Sequence, residues 1–296
     1  MKSWKLVTVT TLGILVLSVP AIAQTQQVPA GATAQQATTK GTWNGLPDRF
    51  QVDAGYFRLN AATELRFQGS IGGGTDVSFE KDLGVGGLAN TYWIDATVRM
   101  SSRNYFKISY ISITRDGPTT TLKRDFTWND EVYSAGLSAS ASVGWDVIST
   151  YYRLAIVKTK RVDAGLSTGL GYLKLRAAIA ATGTLTMPGG QVNSVNLDES
   201  GSLGAPTGGI GGFVTVWPAK RVMLTADYMY IAVNIADWGA HVKDWRVAVN
   251  WYPWRHAGIG AQYKFNEFGY DMSVDEGALG GTLRYQGPQI YASFRF

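Results

Sequence analysis

The feature that most constrains this chain is a period of two, which recurs in stretch after stretch and never gives way to a long apolar run. In YWIDATVRM, Tyr92, Ile94, Ala96, Val98 and Met100 alternate with Trp93, Asp95, Thr97 and Arg99. FRLNAATELRFQ sets Phe57, Leu59, Ala61, Thr63, Leu65 and Phe67 against Arg58, Asn60, Ala62, Glu64, Arg66 and Gln68. DWRVAVNW and IGAQYKFN repeat the pattern with Trp245, Val247, Val249 and Trp251, and with Ile259, Ala261, Tyr263 and Phe265. Successive side chains of a strand point to opposite faces, so each stretch reads as a strand with one apolar and one polar face. Beyond the N-terminal region no segment reaches the eighteen apolar residues of a membrane helix. With 35 glycines and 12% aromatic residues, the chain reads as all-β with tight turns.

The alternation runs to the last residue: QIYASFRF places Ile290, Ala292, Phe294 and Phe296 on one face. Chain termini ordinarily fray in polar residues. A terminal strand with an apolar face needs either a protein core or a bilayer beside it.

The start of the chain narrows the choice. Lys2 and Lys5 precede an apolar stretch from Leu6 to Val19, followed by Ala21-Ile22-Ala23. That is the pattern of a cleaved secretory signal over residues 1–23. As a spanning helix the stretch is too short, and Pro20 breaks it. Export combined with no cysteine means no disulfide framework. Residues 24–47, rich in Gln, Ala and Thr, read as a disordered lead-in, and residues 48–296 as the folded body. The net charge of +5 falls to +3 without Lys2 and Lys5, and the remaining charges are interspersed, which argues against a nucleic-acid surface.

The connections sort into two kinds. Brief, mostly basic or Pro-bearing turns fall at 101–104, 158–161, 218–220 and 253–255. Longer connections fall at 69–90, 115–131, 183–202, 237–241 and 272–277. Such regular alternation of short and long is the asymmetry of transmembrane barrels, with tight periplasmic turns and longer extracellular loops. Four short turns and two termini at one end imply ten antiparallel up-and-down strands, with eight and twelve as alternatives. The arms of the hairpin around 129–131, from about Tyr105 to Val157, are long enough to project beyond a bilayer. Pro288 sits where the apolar parity changes from Leu283 and Tyr285 to Ile290 and Ala292, which predicts a β-bulge. Phe106, Trp217, Trp251, Trp254 and Phe294 fall near short turns or the C-terminus, and Tyr92, Trp93, Tyr230 and Trp238 near long loops, as two aromatic girdles would require.

Together these features resemble the bacterial outer-membrane β-barrel class. Phe296, Phe294, Ala292 and Ile290 match that class's C-terminal pattern residue by residue. The resemblance implies an outer-membrane location in a Gram-negative cell and contact with outer-membrane lipid and lipopolysaccharide. It also implies recognition of the last strand by the outer-membrane assembly machinery. A monomer and no cofactor are expected.

A barrel of about ten strands has a narrow interior. The polar parity supplies Arg58, Glu64, Arg66, Asp95, Arg99, Lys107, Asp163, Asp227, Asp244, Arg246 and Lys264 as lumen residues, near balance in sign. Buried charges are costly unless paired, so a mutually neutralising network is expected. A structural, interaction or narrow-passage role follows, with a small pore as the alternative. The enzymes of the class depend on a histidine. His256 lies at a short turn, whereas His241 in DWGAHVKDW lies near an outer strand end with Asp237 and Asp244 close in sequence. This makes the three the candidates for an enzymatic alternative. In the first long loop, Asp76, Glu80 and Asp82 lack the spacing of an ion loop. Phe79 and Leu83 instead make that loop a candidate cap over the barrel.

Overall fold

The computed structural model describes residues 46–68, 75–128, 131–186, 192–235, 238–274 and 277–296. Residues 1–45, which hold the expected signal and most of the lead-in, lie outside them. Ten long strands form the body: β1 (Phe50–Gln68), β2 (Leu88–Arg99), β3 (Asn104–Asp116), β4 (Ser138–Lys158), β5 (Val162–Thr186), β6 (Val192–Ala219), β7 (Val222–Ile235), β8 (Trp238–Trp251), β9 (Ala257–Val274) and β10 (Gly277–Arg295). Each pairs antiparallel with its neighbour in sequence, and β10 pairs with β1 to close the ring. Closure leaves no sheet edge between β1 and β10, whose ends meet at Arg49, Phe50 and Phe296. There the backbone N–H groups of Arg49 and Phe50 donate to the Phe296 carbonyl at 3.1 and 2.9 Å.

The short turns at 100–103, 159–161, 220–221 and 252–256 all lie at that same end, called here the turn end. Toward the opposite, loop end several strands run well beyond what a bilayer needs. β5 has 25 residues and β6 has 28, against the roughly 9–11 of a tilted spanning strand. The connection expected at 183–202 is therefore mostly hairpin: Val192 to Ser202 pair with Thr186 to Arg176. Its Ser, Asn and Gly residues hide the strand because neither face is apolar. The β6–β7 ladder, in contrast, runs only from Ala219/Val222 to Ile210/Tyr230. Beyond that point β6 pairs with β5 alone, leaving a free edge.

The decisive architectural fact is an inversion of polarity along the strands. On β4, the outward face toward the turn end is Ile148, Thr150, Tyr152, Leu154 and Ile156, and the inward face is Ser149, Tyr151 and Arg153. Toward the loop end the same two faces become Ser138, Ser140, Ser142 and Asp146 outside, and Ala139, Ala141, Val143 and Trp145 inside. β8 changes from Trp251, Val249, Val247 and Trp245 outside to Lys243 and His241 outside. β9 changes after Phe265, where Glu267 is the next outward residue and Phe268 and Tyr270 turn inward. The lower part is thus apolar outside and polar inside, and the upper part is the reverse.

This inversion removes the bulge expected at Pro288. The β9–β10 register passes from Gly277 to Phe294 without a shift, so Leu283, Tyr285 and Tyr291 all face inward. What changes at Pro288 is the surroundings, not the parity. Gly287 beside it has φ 152°, and a Cβ there would lie 2.3 Å from the Arg58 carbonyl oxygen, so only glycine lets β1 and β10 approach here. The register does shift elsewhere, between Ala155 and Val157 of β4 and between Val216 and Ala219 of β6.

Candidate functional site

The lower lumen holds a connected set of charges. Asp95 of β2 meets Lys107 of β3 at 2.5 Å and Arg246 of β8 at 3.1 Å. Arg246 also meets Asp227 of β7 at 2.5 Å, and Asp227 takes Arg153 of β4 at 2.7 Å. Lys264 of β9 approaches Asp244 of β8 at 3.5 Å, and the Tyr151 hydroxyl donates to Asp244 at 3.4 Å. Nearer the turn end, Lys158 pairs with Asp163, to which Tyr105 donates at 2.9 Å, and Arg99 pairs with Asp48. Alternation brings these groups inward, and antiparallel registers such as Asp227↔Arg246 put opposite charges at the same height. Aromatic faces complete the packing, with Lys107 over Tyr151 and Arg153 over Phe213.

Of the residues expected in this network, Asp95, Arg99, Lys107, Asp163, Asp227, Asp244, Arg246 and Lys264 face the lumen. Arg58, Glu64 and Arg66 do not. They lie on β1 above the inversion, where the polar parity is the exposed one, and Arg66 meets Asp76 at 2.6 Å in solvent. Arg153, Asp53, Arg115 and Arg295 are inward charges that the sequence reading omits. Arg153 is masked by TYYRL, whose aromatics occupy both parities. Arg295 sits between the terminal phenylalanines, inward where they face outward. Trp217, expected in the outward girdle, also points inward and carries the Arg295 guanidinium over its ring at 5.0 Å. Trp93 is inward too, 5.1 Å from Tyr291, and the side chain of Trp238 lies outside those described.

His241 and Asp244 cannot act as a pair. His241 has the outward parity of β8 and Asp244 the inward one, and His241 instead lies 3.5 Å from Glu267 on the outer surface. Glu267 is further held by Lys243 at 2.9 Å and Arg284 at 2.5 Å. Asp237 lies outside the described residues.

Above the network the lumen is filled by a dry core that includes Phe57, Leu59, Leu65, Ile113, Trp145, Leu175, Ile179, Phe268 and Leu283. The first long loop closes it: Val77, Phe79, Leu83 and Val85 are all buried in this core. Buried Arg115 anchors the loop, donating to Glu80 at 2.5 Å and to the Gly86 carbonyl at 3.2 Å while lying over Trp145 at 5.1 Å. Gly84 has φ 67°, the left-handed turn that returns the loop to β2. Asp76, Glu80 and Asp82 serve three different arginines, Arg66, Arg115 and Arg124. Hydrogen bonding to Arg124 holds the Asp82 carboxyl below its ordinary range. Among the described residues no group of three or more His, Asp or Glu is placed to hold a metal.

Comparison with solved structures gives the fold. The outer-membrane protease OmpT of Escherichia coli aligns at 9% identity over 84% of this chain and 97% of that chain, with a TM-score of 0.54. The toluene transporter TodX of Pseudomonas putida (10% identity, 86% and 92% covered, TM-score 0.34) also aligns. So does the attachment invasion locus protein Ail of Yersinia pestis (10%, 83% and 99%, 0.31). The last two superpose too loosely to carry an argument. No protein-family model and no curated protein sequence matches. At this identity the likeness is one of fold: the chain has the fold of the outer-membrane β-barrels.

Proposed function

We propose that this is an integral outer-membrane barrel with a structural or interaction role, sealed against free passage and presenting a folded β-extension outside the cell. The observation that carries this reading is an interior blocked at two heights. A charge network occupies the lower lumen, and a dry core capped by the 75–87 segment occupies the upper one. The apolar outward band, including Val247, Val249, Ile259, Ile290 and Phe294, faces lipid, with the turn end in the periplasm. Residues 1–23 serve as the export signal, and Ile290, Ala292, Phe294 and Phe296 present the last strand to the assembly machinery. Just above the band, outward Arg58, Lys174, Arg176, Lys243 and Arg284 suit the anionic headgroups of lipopolysaccharide. The free β6 edge above Ile210 leaves main-chain donors and acceptors for an interaction partner. The protein is expected to act as a monomer.

Planar-bilayer recording of the refolded chain tests the reading. Silent insertion is expected; steady unitary conductance steps overturn it in favour of a pore.

A further inference from the structure

The network does not fill the lower lumen completely. Between it and the turn end lies a cavity of about 200 Å³, room for on the order of six waters or a small organic molecule. It opens beside the β4–β5 turn, where Thr159 and Lys160 line it and are exposed. Its far wall includes Arg246 and Tyr291, which back onto the ion pairs.

The lining is unbalanced in charge. Arg99, Arg153, Lys158, Lys160, Arg246 and Arg295 stand against only three carboxylates, Asp48, Asp53 and Asp163. Even with Lys107, Asp95 and Asp227 behind the far wall, cations remain in excess. Two of these guanidinium groups each keep one buried nitrogen without a hydrogen-bond partner, Arg295 Nη1 and Arg153 Nε, although Arg153 is paired with Asp227. Arg295 is only 8% exposed, and its Nε donates to Gln51 at 3.2 Å. A buried, unpaired donor on a cation is costly unless something accepts from it. The lining also has an apolar part, Phe213, Trp217 and Met223, with Arg153 stacked over Phe213 and Arg295 over Trp217.

We infer that this cavity is a binding site for a small organic anion, a carboxylate with a compact apolar body, entering from the turn end. The carboxylate pairs with the cavity-lining Arg295 guanidinium, and the apolar body packs among Phe213, Trp217 and Met223. Lys158 and Lys160 stand at the entrance, where they raise the local anion concentration. The site takes the compartment it faces from the proposed orientation, but its chemistry is independent of whether the barrel conducts.

Isothermal titration of the refolded full chain in detergent tests the site, with benzoate as probe and heat-modifiable migration as the control for folding. One saturable site per chain is expected. Arg295→Gln is expected to weaken it by about tenfold or more, the loss of one charge-assisted hydrogen bond. Lys123→Gln, at an exposed position near the loop end, should leave binding unchanged. Should Arg295→Gln fail to fold, Lys160→Glu at the exposed turn keeps the test open and should still weaken binding several-fold. Absence of saturable benzoate binding, equal binding of benzylammonium, or binding of inorganic phosphate without benzoate would each overturn the assignment.

Discussion

The lower and upper parts of this barrel are made of the same ten strands in the same registers, yet they are built on opposite rules. Below the inversion, Ile148, Thr150 and Tyr152 face out while Tyr151 and Arg153 face in. Above it, on the same strand, Ser140 and Ser142 face out while Val143 and Trp145 face in. The upper part obeys the hydrophobic effect in water, with apolar side chains inside. The lower part has its apolar face outward and closes its interior with paired charge. Alternation therefore says that two faces differ. Height along the strand says which one is wet.

The largest effect that breaks the comparison lies in the charged half. Asp227→Asn keeps the shape but leaves Arg153 without its carboxylate and Arg246 with only Asp95. Stability should fall by about 3–5 kcal/mol in urea unfolding from micelles. A shape-conserving change in the dry half, Leu175→Met, should cost under about 1.5 kcal/mol. Comparable losses for the two would mean that the halves are not built differently.

A pair of arginine insertions addresses the outward faces. Val247→Arg, in the apolar band, should cost about 2–4 kcal/mol in a bilayer. Ser142→Arg, on the outward face above the inversion, should stay within about 0.5 kcal/mol. Next in size is the cap. Arg115→Met leaves Glu80 without its cation, at about 1–3 kcal/mol, and should expose the 75–87 segment to limited proteolysis while the barrel stays intact. The smallest effect is one of pH. Because Arg124 lowers the Asp82 carboxyl in the folded state, its contribution is present above the ordinary carboxylate range and is lost as pH falls through the lowered value. Proteolytic protection of the cap should weaken on acidification in that window, and less so in Asp82→Asn.

Much of this was legible in the sequence. The ten strands and the outward faces of β8 and the C-terminal strand follow from period-two patterns and turn residues, whereas the longer connections expected at 237–241 and 272–277 are largely ladder, paired up to Ile235/Trp238 and Val274/Gly277. The inversion was missed because Phe57, Leu59 and Leu65 of the dry core alternate with polar residues just as Val247 and Val249 of the outer band do. A signal was nevertheless present. In β3 one parity runs Lys107, Ser109, Ile111, Ile113, and in β9 Lys264, Asn266, Phe268, Tyr270: polar, then apolar, on a single face. At Pro288 the same change was visible but read as a bulge. Arg115 lies at a strand end, where alternation has too few neighbours to assign a face, whereas Arg295 falls on the face opposite Phe294 and Phe296 and was already placed inward by the C-terminal alternation.

The chain has no cysteine, so its outward faces can be mapped one position at a time. The most direct test is a single-cysteine scan of β4 at Ser138, Ser140, Ser142, Asp146, Ile148, Thr150, Tyr152, Leu154 and Ile156. Each variant carries an environment-sensitive fluorophore in the barrel reconstituted into liposomes. Emission should be that of water from 138 to 146 and that of hydrocarbon or its interface from 148 to 156, with the break between Asp146 and Ile148. Lipid-like emission continuing through Ser142 and Ser138, or water-like emission at Ile148 and Tyr152, would contradict the inversion on which the account rests.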